Sequence, residues 1–336
     1  MSTPPLLTVE GLNVAFESRG HFFLPAVRSV DFTIGDGEIM GLVGESGSGK
    51  SATMMAVMGL LPPRARVTGS VKFRGEELIG RGERFLRRFR GARIGMIFQD
   101  PMTTLNPLLS VGAQIAEAVR IHDRSVSARA GMERAVELLE LVAMPSPRQR
   151  ASQYPHEFSG GMRQRAVIAM AMANDPQLLI ADEPTTALDV TIQAQIMELL
   201  QRLCSERKMG LALVTHDLGV VASVANKVAV MYAGRLVECG EVTDTFQAPL
   251  HPYTRALLDS LPKLEERVAR LNAIPGAPPS LAGLPSGCAF HPRCRIAIDR
   301  CTREDPVLRR TRERDVACHR ADETVPMTLA VPEDVP

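Results

Sequence analysis

The residues GESGSGKS (44–51) set three glycines ahead of a lysine and a serine. The pattern G-x-x-x-x-G-K-[ST] is that of a phosphate-cradling P-loop. Gly44, Gly47 and Gly49, with Glu45, Ser46 and Ser48 between them, let backbone N–H groups close on phosphate oxygens. Lys50 reaches the β- and γ-phosphates and Ser51 holds Mg²⁺. LLIADEP (178–184) ends an apolar run on two adjacent carboxylates. Asp182 suits a Mg²⁺ ligand, and Glu183 suits a group that orients and partly deprotonates an attacking water. FSGGMRQR (158–165) puts Ser159, Gly160 and Gly161 at the head of a helix, a further anion-binding N-terminus. Alone, Ser159 reads as a plain N-cap. A chain with one P-loop needs a second phosphate grip only if that grip serves another subunit's nucleotide. Alone, His216 in LALVTHD (211–217) reads as a histidine satisfied at a strand end.

These groups need elements to hold them. EIMGLVG (38–44) is a compact apolar run, hence a buried strand. Behind the loop, Met54, Met55, Val57, Met58 and Leu61 form a helical stripe that Pro62 and Pro63 end. Strand, glycine loop, helix is the order that a P-loop requires. RIGMIFQD (93–100), LLIADEP and LALVTHD read as further strands. From about 103 to 160 the pattern is helical, with Met132, Ala135, Val136, Leu139 and Val142 on one face of a helix. RQRAVIAMAMA (163–173) and TIQAQIMELLQRLC (191–204) are helices, and KVAVMYAGRLVECG (227–240) is a hairpin turning at Ala233 and Gly234. Strands alternating with helices give a mostly parallel, helix-covered α/β sheet, preceded at 6–43 by strand-like pieces. A second region opens near 241 with the helical HPYTRALLDSLP, passes through the irregular IPGAPPSLAGLPSG (274–287) and ends in a cysteine-bearing tail.

Bulk properties narrow the function. The 336 residues carry 39 Lys+Arg against 38 Asp+Glu, which argues against a dominant nucleic-acid footprint. Aromatics make up 4% and Trp is absent, so a base-stacking platform is not expected. No apolar run reaches transmembrane length, and MSTPPLLTVE lacks the features of a secretory signal. A cytoplasmic setting is therefore expected, with the six cysteines as thiols or metal ligands rather than disulfides.

The ordered set GESGSGKS, Gln99 in MIFQD, FSGGM, LLIADEP, TALD (186–189) and His216 in LVTHD resembles an ABC-transporter nucleotide-binding subunit over about residues 6–262. The resemblance implies a P-loop NTPase (RecA-like) core over 6–240 with an N-terminal antiparallel β subdomain and an inserted α-helical subdomain at about 103–165, followed by a C-terminal extension over 241–336. It implies ATP and Mg²⁺, with residues 44–51 on the phosphates and Ser51, Asp182 and Gln99 near the metal. Glu183 would be the general base and His216 a switch on the γ-phosphate, while Gln99 would also link to the membrane subunit. Ser159, Gly160 and Gly161 would close over the partner's ATP, and Asp189 would be a carboxylate of the inter-subunit turn. Phe16 would stack on adenine, in competition with Phe22 and Phe23. Phe158 and Met162 depart from the commonest signature, LSGGQ, at positions whose side chains are not expected to touch phosphate.

TTALDVTIQAQIMELL, MYAGRLVECG, HPYTRALLDSLP and GCAFHPRC together resemble the longer ATPase subunit of dipeptide/oligopeptide and nickel importers, up to about residue 320. Peptide is the favoured cargo; nickel, opines and other small solutes are the alternatives. The implied partners are a second, related and shorter ATPase or a second copy of this chain, two transmembrane permease subunits and, indirectly, an extracytoplasmic solute-binding protein. The implied location is the cytoplasmic face of the cell membrane. Soluble ABC ATPases of DNA repair or translation form the rival class, but the coiled-coil insertion or second P-loop usual there is absent from the sequence.

Cys288, Cys294, Cys301 and Cys318 lack the short pairs of zinc sites and the ferredoxin spacing, so spacing alone reads as unligated thiols. The resemblance implies a [4Fe–4S] cluster on these four, with Arg293, Arg295 and Arg300 offsetting its charge. Cys204 and Cys239 read as structural.

Overall fold

A computed structural model of the chain describes residues 4–18, 22–186, 188–261 and 274–323. Ala187 of the TALD turn, Pro262 at the end of HPYTRALLDSLP and the parts of the 241–336 extension at 262–273 and 324–336 lie outside the described residues. The chain enters through strands β1 (Leu7–Glu17), β2 (Phe23–Ile34) and β3 (Ile39–Val43), then helix α1 (Lys50–Val57). Next come β4 (Arg66–Phe73), β5 (Glu76–Glu77), α2 (Glu83–Leu86) and β6 (Ile94–Ile97). Helices α3 (Pro101–Thr104), α4 (Val111–Arg120), α5 (Ala128–Leu141), α6 (Pro147–Ala151) and α7 (Gly160–Ala171) follow in one run. The alternation resumes with β7 (Leu178–Asp182), α8 (Val190–Arg207), β8 (Gly210–Thr215), α9 (Leu218–Val224), β9 (Lys227–Tyr232) and β10 (Arg235–Glu241). The remaining elements are α10 (Val242–Gln247), α11 (Pro252–Asp259), α12 (Asp299–Arg303), β11 (Arg309–Thr311) and β12 (Arg314–Val316).

Two sheets result. The first is antiparallel, in the order β2-β1-β4-β5. The second runs β11-β12-β10-β9-β3-β8-β7-β6. Its strands from β9 to β6 pair in parallel, and β10, β12 and β11 continue it antiparallel. This is the expected α/β fold with an antiparallel β subdomain and a C-terminal extension.

Every residue of β3, β7 and β8 is buried, as strands covered on both faces must be. Alternate side chains then divide between two cores. Ile39, Val43, Leu179, Ala181, Leu211 and Leu213 face the helical side. Met40, Leu42, Leu178, Ile180, Ala212 and Val214 face α1 and the first sheet. Five helices start on a serine or aspartate that accepts a backbone N–H one turn on: Ser110, Ser127, Ser159, Asp189 and Asp217. Each such cap contributes about 1 kcal/mol.

Two local expectations change. Met132, read as part of the buried face of α5, is 37% exposed, in an open cavity it shares with Arg148 and Tyr154. The charged tail segment also holds strands: β12 pairs with β10 through Glu238↔Val316 and Cys239↔Asp315, so the extension lengthens the main sheet. Asp305 fastens it further, pairing with Arg28 of β2 at 3.5 Å and with Arg235 of β10.

Candidate active site

The expected chemical groups gather where the parallel strands end. β3 runs into the P-loop, β8 ends before His216, β7 ends on Asp182 before Glu183, and β6 ends just before Gln99. In the order β3-β8-β7-β6 these are adjacent strands, and their carboxyl ends form one rim. Open α/β sheets bind ligands at this rim.

Gly49 caps α1 with φ 105°, and a Cβ there would lie 2.6 Å from the Ala26 carbonyl oxygen, so the position needs glycine. The Lys50 side chain is buried, and Nζ donates to the carbonyls of Gly44 at 2.7 Å and Glu45 at 3.0 Å. Burial lowers the Lys50 pKa against the opposing charges of Glu183, Asp182 and Glu45. Ser51 Oγ donates to Asp182 Oδ1 at 3.0 Å. Burial raises the Asp182 pKa, and the Glu183 charge adds to this, while Ser51 and Lys50 oppose it. A hydroxyl and a buried carboxylate one hydrogen bond apart are a hard oxygen pair suited to Mg²⁺.

Glu183 has φ 48°, a left-handed conformation uncommon outside glycine, held by its N–H bond to the Val214 carbonyl at 2.8 Å. Its carboxylate receives Gln99 Nε2 at 3.0 Å and Thr186 Oγ1 at 2.9 Å, with His216 Nδ1 at 3.3 Å. Burial would raise its pKa, but the bonds from Thr186 and His216, with the His216 and Lys50 charges, bring it below the ordinary carboxylate value. Gln99, Glu183 and His216 thus form one hydrogen-bonded set. Thr186 was not anticipated, although a hydroxyl three residues beyond the carboxylate in the same turn was a readable signal.

Ser159 Oγ accepts the Met162 N–H at 3.3 Å, and Asp189 Oδ1 accepts the Ile192 N–H at 2.9 Å. The two helix starts touch: a Cβ on Gly161 would meet Ile192 Cγ2 at 2.8 Å. Gly160 sits beside Leu188 in the same way, its own Cβ position 3.5 Å from Leu188 Cδ2. Among the described hydrogen bonds none joins Ser159, Gly160 or Gly161 to the same chain's P-loop. Phe16 lies in β1, paired with Leu24 and packed against the core beneath the first sheet. Phe23 carries the Arg66 guanidinium 3.5 Å above its ring, and Phe22 is exposed.

Glu45 differs from the other loop residues. Its N–H, a candidate phosphate donor, goes to Tyr253 Oη at 2.9 Å. Its carboxylate is gripped from two sides by Arg293, at 2.7 and 2.9 Å. Both groups therefore face the extension. Glu45, Ser46, Gly47 and Ser48 line a cavity with Tyr232, Ala233 and residues 278–281.

Cys288, Cys294, Cys301 and Cys318 line one small cavity with His251, His291 and Arg320. Burial pushes the thiols of Cys288 and Cys318 up to about 12 and about 11, and raises that of Cys294. Among the described residues no three His, Cys, Asp or Glu side chains are arranged to hold a single metal ion. The arginines expected around this group are corrected: Arg293 binds Glu45, Arg300 pairs with Glu304 at 2.7 Å and Arg295 is exposed. Arg320 lies there instead, its N–H donating to Cys318 Sγ at 3.4 Å. Cys204 and Cys239 are buried in the two cores, their thiols pushed up to about 12 and about 11.

Residues 27–186 match the family model described as ABC transporter, and residues 237–301 match that of the oligopeptide/dipeptide transporter C-terminal region. A putative peptide import ATP-binding protein of Brucella abortus is 52% identical over 321 residues, covering 92% of this chain and 94% of its own. The oligopeptide transport ATP-binding protein OppD of Salmonella typhimurium is 50% identical over 302 residues, covering 90% of each chain. Among solved structures, the dimeric ABC transporter cassette MJ0796 superposes with a TM-score of 0.63 at 28% identity, covering 70% of this chain and 98% of the cassette.

Proposed function

The chain belongs to the ABC-transporter ATP-binding family, in its peptide/oligopeptide import branch, and from that premise we propose how its residues divide the work. It is the ATP-hydrolysing subunit of an importer whose cargo is di- and oligopeptides. Gly44, Ser46, Gly47, Ser48, Gly49 and Lys50 hold the phosphates, and Phe16 stacks on adenine. Ser51, Asp182 and Gln99 would hold Mg²⁺, which when bound would neutralise charge on the nucleotide's phosphates. Glu183 orients a water and takes its proton as the water oxygen bonds to the γ-phosphorus. The bond from phosphorus to the β–γ bridging oxygen breaks, and ADP leaves. His216 steadies Glu183 and meets the γ-phosphate. The observation that carries this assignment is the hydrogen-bonded set of Gln99, Glu183 and His216 at the rim that also holds the Ser51–Asp182 pair.

Ser159, Gly160, Gly161 and Asp189 act across a subunit boundary, on the nucleotide of a related, shorter ATPase or of a second copy. ATP contacts from both sides close the pair, and hydrolysis releases it. From the cytoplasmic face of the membrane this pair drives two transmembrane permease subunits, which carry the cargo delivered by an extracytoplasmic solute-binding protein. Among the described residues no helix is long and apolar enough to cross a membrane. The test is purification of the tagged chain from membranes. Two permease subunits and a solute-binding protein loaded with peptide are expected. A nickel- or opine-loaded binding protein would reassign the cargo, and recovery with DNA or ribosomes would overturn the transport role.

The four-cysteine cavity takes a [4Fe–4S] cluster in this proposal. Four cysteines on one cavity are the donor set such a cluster takes, and its binding would displace the thiol protons that burial favours on Cys288, Cys294 and Cys318. Such a group, when bound, would cross-link four separate points of the extension. Anaerobic purification should give a brown protein with broad absorption near ~400 nm; a colourless, iron-free chain would reject the cluster.

A further inference from the structure

Glu45 is held from three directions. Its carbonyl accepts Lys50 Nζ at 3.0 Å, its N–H reaches Tyr253 Oη at 2.9 Å, and its carboxylate takes two bonds from Arg293. Arg293 is spent entirely inside the protein. Its side chain is 5% exposed, Nε donates to the Pro275 carbonyl at 2.9 Å, and Nη1 also reaches Tyr232 Oη at 3.3 Å. Around it, the Tyr232, Tyr253 and Phe290 rings pack with centroids 4.5 to 5.4 Å apart. The short helix that carries Arg293 spans His291–Arg293, and its first N–H donates to the Cys288 carbonyl at 2.9 Å. A two-pronged guanidinium–carboxylate bond fixes geometry as well as distance. Here it joins the extension to the residue whose carbonyl receives the phosphate-binding lysine.

We propose that Arg293 is a positioning residue for the nucleotide site, a strut by which the C-terminal extension sets the opening turn of the P-loop through Glu45. Arg293 touches no substrate; it acts by fixing Glu45, which in turn fixes the resting position of Lys50. Loss of the strut lets the loop sample other shapes, so nucleotide binding weakens while the catalytic set at Glu183 stays intact. The inference rests on the P-loop being the ATP site, which Lys50→Ala tests separately: unchanged ATP affinity in that variant would reject the ATP site itself.

The experiment is MgATP affinity and steady-state hydrolysis for the full-length wild type, Arg293→Ala, Glu45→Gln and the double variant, with thermal melts to confirm folding. Arg293→Ala and Glu45→Gln should each raise the ATP Kd roughly tenfold, with kcat at saturating ATP within about twofold of wild type. Because the two residues act as one link, the double variant should be no weaker than the worse single variant. A folded Arg293→Ala with wild-type Kd, or losses that multiply in the double variant, would overturn the proposal. Should Arg293→Ala fail to fold, Glu45→Gln decides alone: wild-type Kd there overturns it.

Discussion

At the scale of single residues, the site turns on how Glu183 is kept ionised. Its burial favours the neutral acid, and the hydrogen bonds of Thr186 and His216 reverse that preference. A depressed folded-state pKa contributes stability above the unfolded value, and the contribution is lost as pH falls through the folded one. The base form is thus complete across the neutral range. Acidification should remove activity through Glu183 only below the ordinary carboxylate region, near ~4.3. Thr186→Val keeps the side-chain shape but deletes the hydroxyl, so the acid limb of the pH–rate profile should move to higher pH. An unmoved limb would show that Thr186 does not tune the base. Glu183 itself was legible because it stands beside Asp182 at the end of an apolar run. The Arg293–Glu45 pair was not, because 248 residues separate its members and neither stands in a periodic pattern.

At the scale of elements, legibility followed burial. β3, β7 and β8 are short apolar runs with clear ends, and α8 keeps its stripe of Ile196, Leu199 and Leu203. β11 and β12 escaped notice because RRT and RDV have no apolar alternation; they form through backbone pairing at a sheet edge that β10 offers. The junction of sheet and extension depends on Glu238, which is wholly buried in β10. Its carboxylate accepts the N–H groups of Leu250 at 2.9 Å and His251 at 3.0 Å and lies 3.5 Å from Arg314. Glu238→Ala leaves these donors without an acceptor, and the loss should be about 3 kcal/mol. A thermal melt should show a midpoint lower by several degrees; an unchanged midpoint would mean that the junction does not rely on this carboxylate.

At the scale of the whole molecule, one rim of a parallel sheet carries the residues proposed to handle the nucleotide, and the antiparallel strands of the extension are built onto the same sheet. Gly160 and Gly161, proposed to act on a neighbouring subunit's nucleotide, pack against Leu188 and Ile192 at the start of α8. ATP binding and ATP cleavage should therefore be separable: the loop binds, and Glu183 cleaves. The measurement that tests this most directly compares the purified full chain with its Glu183→Gln variant, at concentrations where the wild type hydrolyses ATP. MgATP affinity should agree within about twofold, while phosphate release falls roughly 10²- to 10⁴-fold. Phosphate release from the folded variant at a rate near that of the wild type would contradict the assignment of Glu183 as the base.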